Sequence, residues 1–339
     1  NADSLGLTKV YDYPNVQRLA QFITDEVLPS THADESPKST PVSAPSSQSV
    51  LEKPAQPVAP TVLPAAPAPA SPGKADIAII GIAGQFPGAV DLETYWKNLA
   101  AGVCSVREVP PERWDLAKYY DPDPRKPGKS YCKHLGALDR VDEFDPLFFE
   151  LSPKEAELMD PQQRLFLRTA WEVLENAGYS NRERIARKKV GVYVGVMNHD
   201  YAELLARRTD VPPDAFELIG NSGSILAARI SYILDLKGPS LTVDTACSSS
   251  LVAAHLAIQS LQSGECELAI AGGVTLYLSE KLFVLMSKAG MLSPTGRCRT
   301  FDDTADGFVP AEGVGAVLLK PLARALADGA PVGGVIKGS

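Results

Sequence analysis

The segment PSLTVDTACSSSL, residues 239–251, decides how this chain folds. It opens with a short run of β-forming residues, breaks at small residues, and continues into a stretch whose apolar positions recur at helical spacing. These positions, expected to form the buried face of the helix, are Leu251, Ala254, Ile258 and Leu261. The pattern predicts a strand, a tight turn and a helix, with Cys247 in the turn.

A cysteine in such a turn occupies the position of a nucleophile. The N-terminus of a helix carries roughly half a positive charge, which stabilises a thiolate. Backbone N–H groups at the same place, that of Cys247 among them, can donate hydrogen bonds to an oxyanion. The neighbours Ala246 and Ser248 are small and leave room for a substrate carbonyl. These residues favour a catalytic thiol, and a buried structural cysteine is the alternative.

Apolar runs and amphipathic stretches alternate through the part of the chain around this segment. Runs typical of buried strands lie at 77–82, 190–196, 241–243, 268–271 and 314–319. Helical patterns cover 161–176 and 248–262, and Gly178 and Gly264 are placed to end these two helices. The alternation predicts an α/β fold with a largely parallel or mixed sheet.

Three glycines near the first predicted strand invite comparison with a dinucleotide-binding loop. Gly81, Gly84 and Gly88 have the spacing G-x-x-G-x-x-x-G, whereas the nucleotide fingerprint is G-x-G-x-x-G. Pro87 also stands where the phosphate-binding helix should already be running. A tight turn after the strand is therefore the better interpretation.

Several motifs carry a family resemblance. VDTACSSSL at 243–251 resembles the active-site motif of the ketosynthase domains of modular polyketide synthases and related fatty acid synthases. Six further motifs resemble the same family and occur in the order that the family has. They are IAIIGIAG at 77–84, FPG at 86–88, FDPLFF at 144–149, MDPQQR at 159–164, GNSGS at 220–224 and FDDTADGF at 301–308. The resemblance implies a thiolase-like layered α/β fold, with the first half and the start of the second present in residues 75–339.

The resemblance also implies a chemistry. Cys247 is expected to accept an acyl chain from an upstream acyl carrier protein and, in the complete protein, to condense it with a decarboxylated malonyl-type extender on the next carrier. Phosphopantetheine belongs to the partner carriers, so no cofactor and no metal is expected on this chain. Ketosynthases of this kind are homodimers, so a second copy is an expected partner.

The histidines bear on the condensation step, because the family uses two of them in decarboxylation. The chain holds His32, His134, His199 and His255. None matches a catalytic position of the family, and His255 lies about 12 Å beyond Cys247 along the same helix, at about 1.5 Å per residue. The catalytic histidines and a lysine are expected downstream of Ser339. We therefore expect a truncated β-ketoacyl synthase domain that holds the nucleophile and is inactive in condensation on its own.

The N-terminal residues 1–28 resemble the last part of an acyl carrier protein, through VYDYP at 10–14 and the helical spacing after it. Ser4 imitates the carrier serine but lies only seven residues before Tyr11, so the pantetheinylated serine is expected before Asn1. Residues 29–74 are rich in Pro, Ala and Ser and lack aromatic residues, which predicts a disordered linker. The synthase domain is expected at 75–339.

Composition excludes several other classes of protein. The 33 Lys and Arg against 41 Asp and Glu give a net charge of −8, which disfavours nucleic acids and membrane surfaces. Five cysteines without a C-x-x-C pair fit neither a zinc site nor a disulfide framework. They indicate reduced thiols in the cytoplasm, most of them expected to be buried.

Four other functions are alternatives to a condensing ketosynthase. A non-elongating ketosynthase would keep the cysteine and only pass the chain onward, and the sequence does not separate the two. A decarboxylating loading ketosynthase is disfavoured, because that type usually has Gln where Cys247 stands. A thiolase acting on coenzyme A esters is disfavoured by the carrier remnant and linker, and a structural interaction module is the alternative from outside enzymes.

Overall fold

The computed structural model describes residues 75–209 and 212–339. The carrier remnant expected at 1–28, the linker expected at 29–74, and the predictions made for Ser4 and His32 lie outside the described residues.

Strands and helices alternate along the described residues. The strands are β1 Ile77–Gln85, β2 Arg107–Glu108, β3 His134–Leu135, β4 Val190–Gly195, β5 Ser240–Val243, β6 Leu268–Thr275, β7 Gly313–Pro321 and β8 Gly334–Ile336. The helices are α1 Leu92–Ala100, α2 Leu116–Tyr119, α3 Pro153–Leu158, α4 Pro161–Asn176, α5 Arg182–Ile185, α6 Asp200–Ala206, α7 Ala215–Asn221, α8 Gly223–Ile233, α9 Ser249–Ser263, α10 Glu280–Lys288 and α11 Leu322–Ala327.

Six of the strands form one mixed sheet in the order β5-β4-β6-β7-β1-β8. Strand β4 is parallel to both β5 and β6, with Val194 opposite Thr242 on one side and Gly272 on the other. Strand β7 is antiparallel to β6 and to β1, and β8 is antiparallel to β1. The predicted α/β fold with a mixed sheet is confirmed. The carboxyl ends of β5, β4 and β6 consequently meet at one edge of the sheet.

Helices cover both faces of this sheet. On one face α4 and α8 pack over alternate strand residues such as Val192 and Val194. On the other face α9 packs over residues of opposite parity, including Tyr193. Successive strand residues point to opposite faces, so β4 is apolar throughout because both of its faces are covered. Burying each large aliphatic side chain of these helices contributes roughly 1.5–3 kcal/mol.

The helix predicted at 161–176 has those bounds in the structure, and the helix predicted at 248–262 is displaced by one residue, to Ser249–Ser263. Pro161 takes the first position of α4, and the Asp160 carboxylate accepts a hydrogen bond from the Gln162 N–H at 2.8 Å. Gly178, at φ 82°, follows the end of α4. Gly264, at φ 77°, caps α9 in the left-handed conformation that glycine adopts without steric cost.

The structure corrects two expectations about the strands. Strand β1 continues to Gln85, so Gly81 and Gly84 lie inside it, and the turn comes at Gly88. A Cβ on Gly81 would lie 2.5 Å from the Val173 carbonyl oxygen, so this glycine lets α4 cross close to the strand. The segment 241–243 was expected to be buried, but Leu241 is 45% exposed because β5 is at the edge of the sheet.

The expected buried face of α9 is also partly wrong. Leu251 is 77% exposed and Ala254 only half-buried, although Ile258 and Leu261 are buried. The helix instead presents Ser249 and two alanines to the sheet; the alanines are Ala253 and Ala257. These residues recur at a spacing of four, and their small side chains let the helix lie close to the strands.

Candidate active site

Cys247 lies in the connection between β5 and α9, four residues after the strand and two before the helix, and it is exposed to solvent. The parallel neighbours of β5 end at the same edge of the sheet. Side chains at the carboxyl ends of parallel strands in α/β proteins project into the crevice where ligands bind. The thiol therefore has the position that a nucleophile in a strand–turn–helix unit requires.

The turn is strained at the residue before the cysteine. Ala246 has φ 55°, a left-handed conformation that costs an alanine roughly 1–2 kcal/mol. Side chains on both sides of the turn offset this cost. Asp244 accepts a hydrogen bond from the Ala246 N–H at 3.0 Å, and the Ser249 hydroxyl bonds to both Thr245 and Ala246. The Ser248 hydroxyl donates to the Thr245 carbonyl at 2.8 Å.

Glycines on two strands let this turn sit directly on the sheet. A Cβ on Gly195, at the end of β4, would lie 2.5 Å from the Ser250 backbone nitrogen. A Cβ on Gly273, in β6, would lie 2.9 Å from the Ser250 Cβ. Real Cβ atoms do not approach so closely, so larger residues at these positions would displace the N-terminus of α9. The sequence patterns did not reveal these contacts, although Gly195 near the end of the apolar run 190–196 and Gly273 just after the run 268–271 are a local signal for them.

The N-terminus of α9 provides a positive electrostatic environment. Its first turn contains no acidic residue, and the Ser248 side chain makes no capping hydrogen bond to the helix. The first N–H groups of a helix have no partner within the helix, and together they carry a partial positive charge. They are therefore well suited to stabilise a thiolate and the negative charge that develops on a carbonyl oxygen attacked by it.

Tyr277, two residues beyond β6, borders the same region. Burial raises the pKa of Tyr277 to about 12, and the negative charges of Cys247 and Glu312 act in the same direction. Its hydroxyl group thus stays neutral at physiological pH. The side chain is buried and packs among apolar residues, including Phe283.

A buried ion pair holds the backbone at Tyr277. The Glu312 carboxylate is fully buried and accepts hydrogen bonds from Arg113 Nε at 3.0 Å and Nη2 at 2.8 Å. It also accepts from the backbone N–H groups of Leu138 at 2.8 Å and Tyr277 at 3.0 Å. Four donors therefore satisfy one buried carboxylate, and the start of β7 is tied to the loop after β6.

A second buried polar network holds the rest of that loop. Gln162 donates to the Asn198 carbonyl at 2.8 Å and accepts from the Leu276 N–H at 3.2 Å. Asp200 accepts from the N–H groups of Leu278 and Ser279, both at 2.9 Å. Gln162 of the MDPQQR motif at 159–164 thus forms hydrogen bonds that hold the loop beside Cys247. Burial raises the pKa of the neighbouring Asp160 to about 6.

The described histidines make their contacts elsewhere. His134 is in β3, where burial lowers its pKa and its Nδ1 has no hydrogen-bond partner among the described residues. His199 precedes α6, and His255 bonds through its ring nitrogens to Gln259 and Ser339. None of these contacts involves Cys247.

The other four cysteines lack the setting of Cys247. All five cysteines fall within the described residues and are free thiols. Cys132 and Cys266 are buried, which raises the pKa of each thiol. Cys104 and Cys298 are exposed, but neither adjoins the N-terminus of a helix. The expectation that most cysteines are buried is wrong, because three of the five are exposed.

Within residues 75–209 and 212–339, no cluster of three or more His, Cys, Asp or Glu side chains is arranged to hold a metal ion. The same ranges contain no helix with the length and apolar character needed to cross a membrane.

Comparison with known proteins identifies the class to which this strand–turn–helix site belongs. Residues 74–325 match the family described as "Beta-ketoacyl synthase, N-terminal domain", and the chain belongs to this family. Its sequence places it with the ketosynthase domains of polyketide synthases, as the following relatives show.

Two curated relatives come from Bacillus subtilis. The chain is 44% identical to polyketide synthase PksL over 350 residues, which takes in 99% of this chain and 8% of that protein. It is 47% identical to polyketide synthase PksM over 264 residues, or 78% of this chain and 6% of that protein. The chain thus spans less than a tenth of the length of these relatives.

Solved structures show the same fold. The ketosynthase from module 6 of the bacillaene synthase of Bacillus subtilis is 47% identical, with a TM-score of 0.69 over 77% of this chain and 42% of that chain. The oxazolomycin ketosynthase domain OzmH KS7 of Streptomyces albus is 45% identical, with a TM-score of 0.72 over 77% of this chain and 45% of that chain. The thiolase-like fold implied by the sequence motifs is confirmed.

Proposed function

We propose that Cys247 is the acyl-accepting nucleophile of a polyketide synthase ketosynthase. The observation that carries the proposal is its setting: of the five cysteines, all within the described residues, Cys247 alone is exposed at the N-terminus of a helix after a parallel strand. The family match supports the same role, because it places this turn in the N-terminal domain of β-ketoacyl synthases.

The acyl donor is a thioester on the phosphopantetheine arm of an acyl carrier protein. The Cys247 thiolate attacks the carbonyl carbon and forms a tetrahedral intermediate whose oxyanion accepts a hydrogen bond from the Cys247 N–H. Collapse of the intermediate breaks the old carbon–sulfur bond and releases the pantetheine thiolate, which takes up a proton. The acyl group is then held as a thioester on Cys247.

Condensation is the second step that we propose for the intact protein. A malonyl-type extender on the next carrier loses carbon dioxide, and the resulting enolate attacks the carbonyl carbon of the Cys247 thioester. The new carbon–carbon bond replaces the carbon–sulfur bond, and Cys247 leaves as the thiolate. Steering this step needs acid–base groups near the thiol, and the described histidines make their contacts elsewhere. We assign that role to the family's downstream histidines. A non-elongating ketosynthase, which stops after acyl transfer, is the alternative.

The partners and domain boundaries belong to the same proposal. We assign residues 1–28 to the end of a carrier domain, 29–74 to a linker and 75–339 to the synthase domain. The alignment with PksL over 99% of this chain supports an origin of all three parts in one assembly line. Upstream and downstream carriers and a second ketosynthase copy are the proposed partners. The absence of disulfides among the five cysteines is compatible with the cytoplasm.

The test is acylation of the intact protein by an acyl-pantetheine thioester, followed by mass spectrometry of the cysteine-containing peptides. Wild-type protein is expected to carry one acyl group on Cys247, and Cys247→Ala none. Cys298→Ala is the matched control, because Cys298 is also exposed, and it should acylate like the wild type. Acylation of Cys247→Ala would refute the assignment. Addition of malonyl carrier protein then separates condensation, which extends the product, from transfer alone.

A further inference from the structure

The three consecutive serines after Cys247 make different contacts. Ser249 is buried, and its hydroxyl accepts a hydrogen bond from the Thr245 N–H at 2.9 Å. The same hydroxyl donates to the Ala246 carbonyl at 2.7 Å. The Ser249 backbone N–H also donates to that carbonyl, at 3.1 Å. One residue therefore holds the Ala246 carbonyl with two hydrogen bonds.

The Ala246 carbonyl and the Cys247 N–H belong to one planar peptide group. In a trans peptide the C=O and N–H bonds point in opposite directions, so fixing the oxygen fixes the direction of the N–H. No cis peptide occurs among the described residues. With its oxygen held toward the helix by Ser249, this peptide group directs the Cys247 N–H away from those contacts.

We propose that Ser249 is a positioning residue that orients the Cys247 N–H as an oxyanion donor. The inference rests on the proposed role of Cys247 as the nucleophile. Ala246 is left-handed and strained, so the turn has a steric reason to relax when its restraints are removed. Without the Ser249 hydroxyl, only the Ser249 backbone N–H still holds the Ala246 carbonyl, so the Ala246–Cys247 peptide group is freer to rotate and its N–H is directed less well at the oxyanion.

The neighbouring serines provide controls of the same residue type. The Ser248 hydroxyl donates to the Thr245 carbonyl and to Thr245 Oγ1, at 2.8 and 2.9 Å, and does not contact the Ala246 carbonyl. Ser250 is exposed, and its hydroxyl makes no hydrogen bond to any described residue. Ser250→Ala therefore removes the same atom as Ser249→Ala without touching the peptide group in question.

Two reactions of Cys247 distinguish orientation of the N–H from general damage to the site. Alkylation by iodoacetamide needs the thiolate but forms no oxyanion, whereas acylation by an acyl-pantetheine thioester needs both. Removing an oxyanion donor outright typically slows catalysis by about 10²- to 10³-fold. Because Ser249→Ala misorients the donor rather than deleting it, we expect acylation about 10- to 100-fold slower, with alkylation within about threefold of wild type.

The experiment measures both rate constants by mass spectrometry in the intact protein, with the thermal unfolding midpoint as a folding control. Ser250→Ala should match the wild type in both reactions. If Ser249→Ala alone does not fold, the double variant Ser249→Ala with Ala246→Gly is used, because glycine adopts the left-handed turn without steric cost. It should alkylate normally and acylate slowly, because the hydroxyl restraint is missing and the conformational freedom of glycine lets the peptide group rotate even without strain.

Wild-type acylation in the folded Ser249 variant, or equal losses in acylation and alkylation, would overturn the positioning role. A different result would refute the proposed role of Cys247 as the nucleophile. If Cys247→Ala protein is still acylated, the nucleophile itself is wrongly assigned, whatever the behaviour of the Ser249 variants.

Discussion

Glu312→Gln tests whether the loop beside Cys247 depends on one buried carboxylate. The four hydrogen bonds that Glu312 accepts come from the Arg113 guanidinium and from two backbone N–H groups, those of Leu138 and Tyr277. Glutamine has nearly the same volume, so the substitution leaves no cavity. It removes the charge, and it replaces one acceptor oxygen with an NH₂ group that can only donate.

The expected loss of stability follows from these contacts. If the glutamine oxygen takes the place of Oε1, it keeps the hydrogen bonds from Arg113 Nε and the Tyr277 N–H. The NH₂ group then faces two donors, Arg113 Nη2 and the Leu138 N–H, which lose their partner. An orphaned buried donor costs about 1–3 kcal/mol, and breaking a buried ion pair by removing one partner costs about 3–5 kcal/mol. We expect a loss of about 3–5 kcal/mol in unfolding free energy.

Urea denaturation of the intact protein, followed by intrinsic fluorescence, measures this loss as a lower midpoint. The control is Glu93→Gln, which breaks the exposed Lys97–Glu93 pair and should leave the midpoint within experimental error. At urea concentrations where the Glu312 variant is folded, acylation of Cys247 should still be slower, since the group that anchors the Tyr277 N–H has lost its charge and its hydrogen bond from Arg113 Nη2. Wild-type stability in Glu312→Gln would refute the claim that this ion pair holds the loop.

Two more substitutions probe the support of the site. Gly195→Ala should abolish acylation of Cys247, because the new Cβ would lie 2.5 Å from the Ser250 nitrogen. The control Gly333→Ala should acylate normally, because its Cβ would meet nothing closer than 3.7 Å. Normal acylation of Gly195→Ala would contradict the close packing. With the pKa of Asp160 raised from 3.8 to about 6, the folded state keeps a proton that the unfolded chain loses, so the unfolding free energy should fall by up to about 3 kcal/mol between about pH 4 and 6. Urea midpoints of Asp160→Asn should lack that slope, and an unchanged slope would disprove the assignment.

Sequence patterns predict the parts of this structure that depend on local interactions. The helix 161–176 follows from Asp160 and Pro161 at its start and Gly178 after its end, all within a few residues of the element that they delimit. The placement of Cys247 in a turn follows in the same way from the change of periodicity around it. Such signals act over short distances along the chain, so one sequence is enough to detect them.

Other features depend on contacts between distant residues, and the sequence did not reveal them. Whether 241–243 forms an edge strand or a central strand depends on which strands lie beside it, and alternation of apolar residues carries no such information. The exposure of Leu251 has the same origin. The sheet packs against the small residues of α9, so the Leu251 side chain points away from it. Arg113 and Glu312 are 199 positions apart, and nothing in either local sequence marks them as partners.

The two buried polar networks act on the same short loop, residues 276–279. They explain how a strained turn can lie beside a loop whose conformation is fixed. Glu312 accepts a hydrogen bond from the N–H of Tyr277, and Gln162 accepts one from the N–H of Leu276. Asp200 accepts hydrogen bonds from the N–H groups of Leu278 and Ser279. Hydrogen bonds specify direction as well as distance, so buried polar partners define a loop conformation more narrowly than apolar packing does. The left-handed Ala246 directly precedes Cys247, whose charge acts on Tyr277 in this hydrogen-bonded loop. Strain in the turn that holds Cys247 and the hydrogen bonds that fix the nearby loop are therefore two parts of one arrangement that defines the surroundings of this exposed thiol.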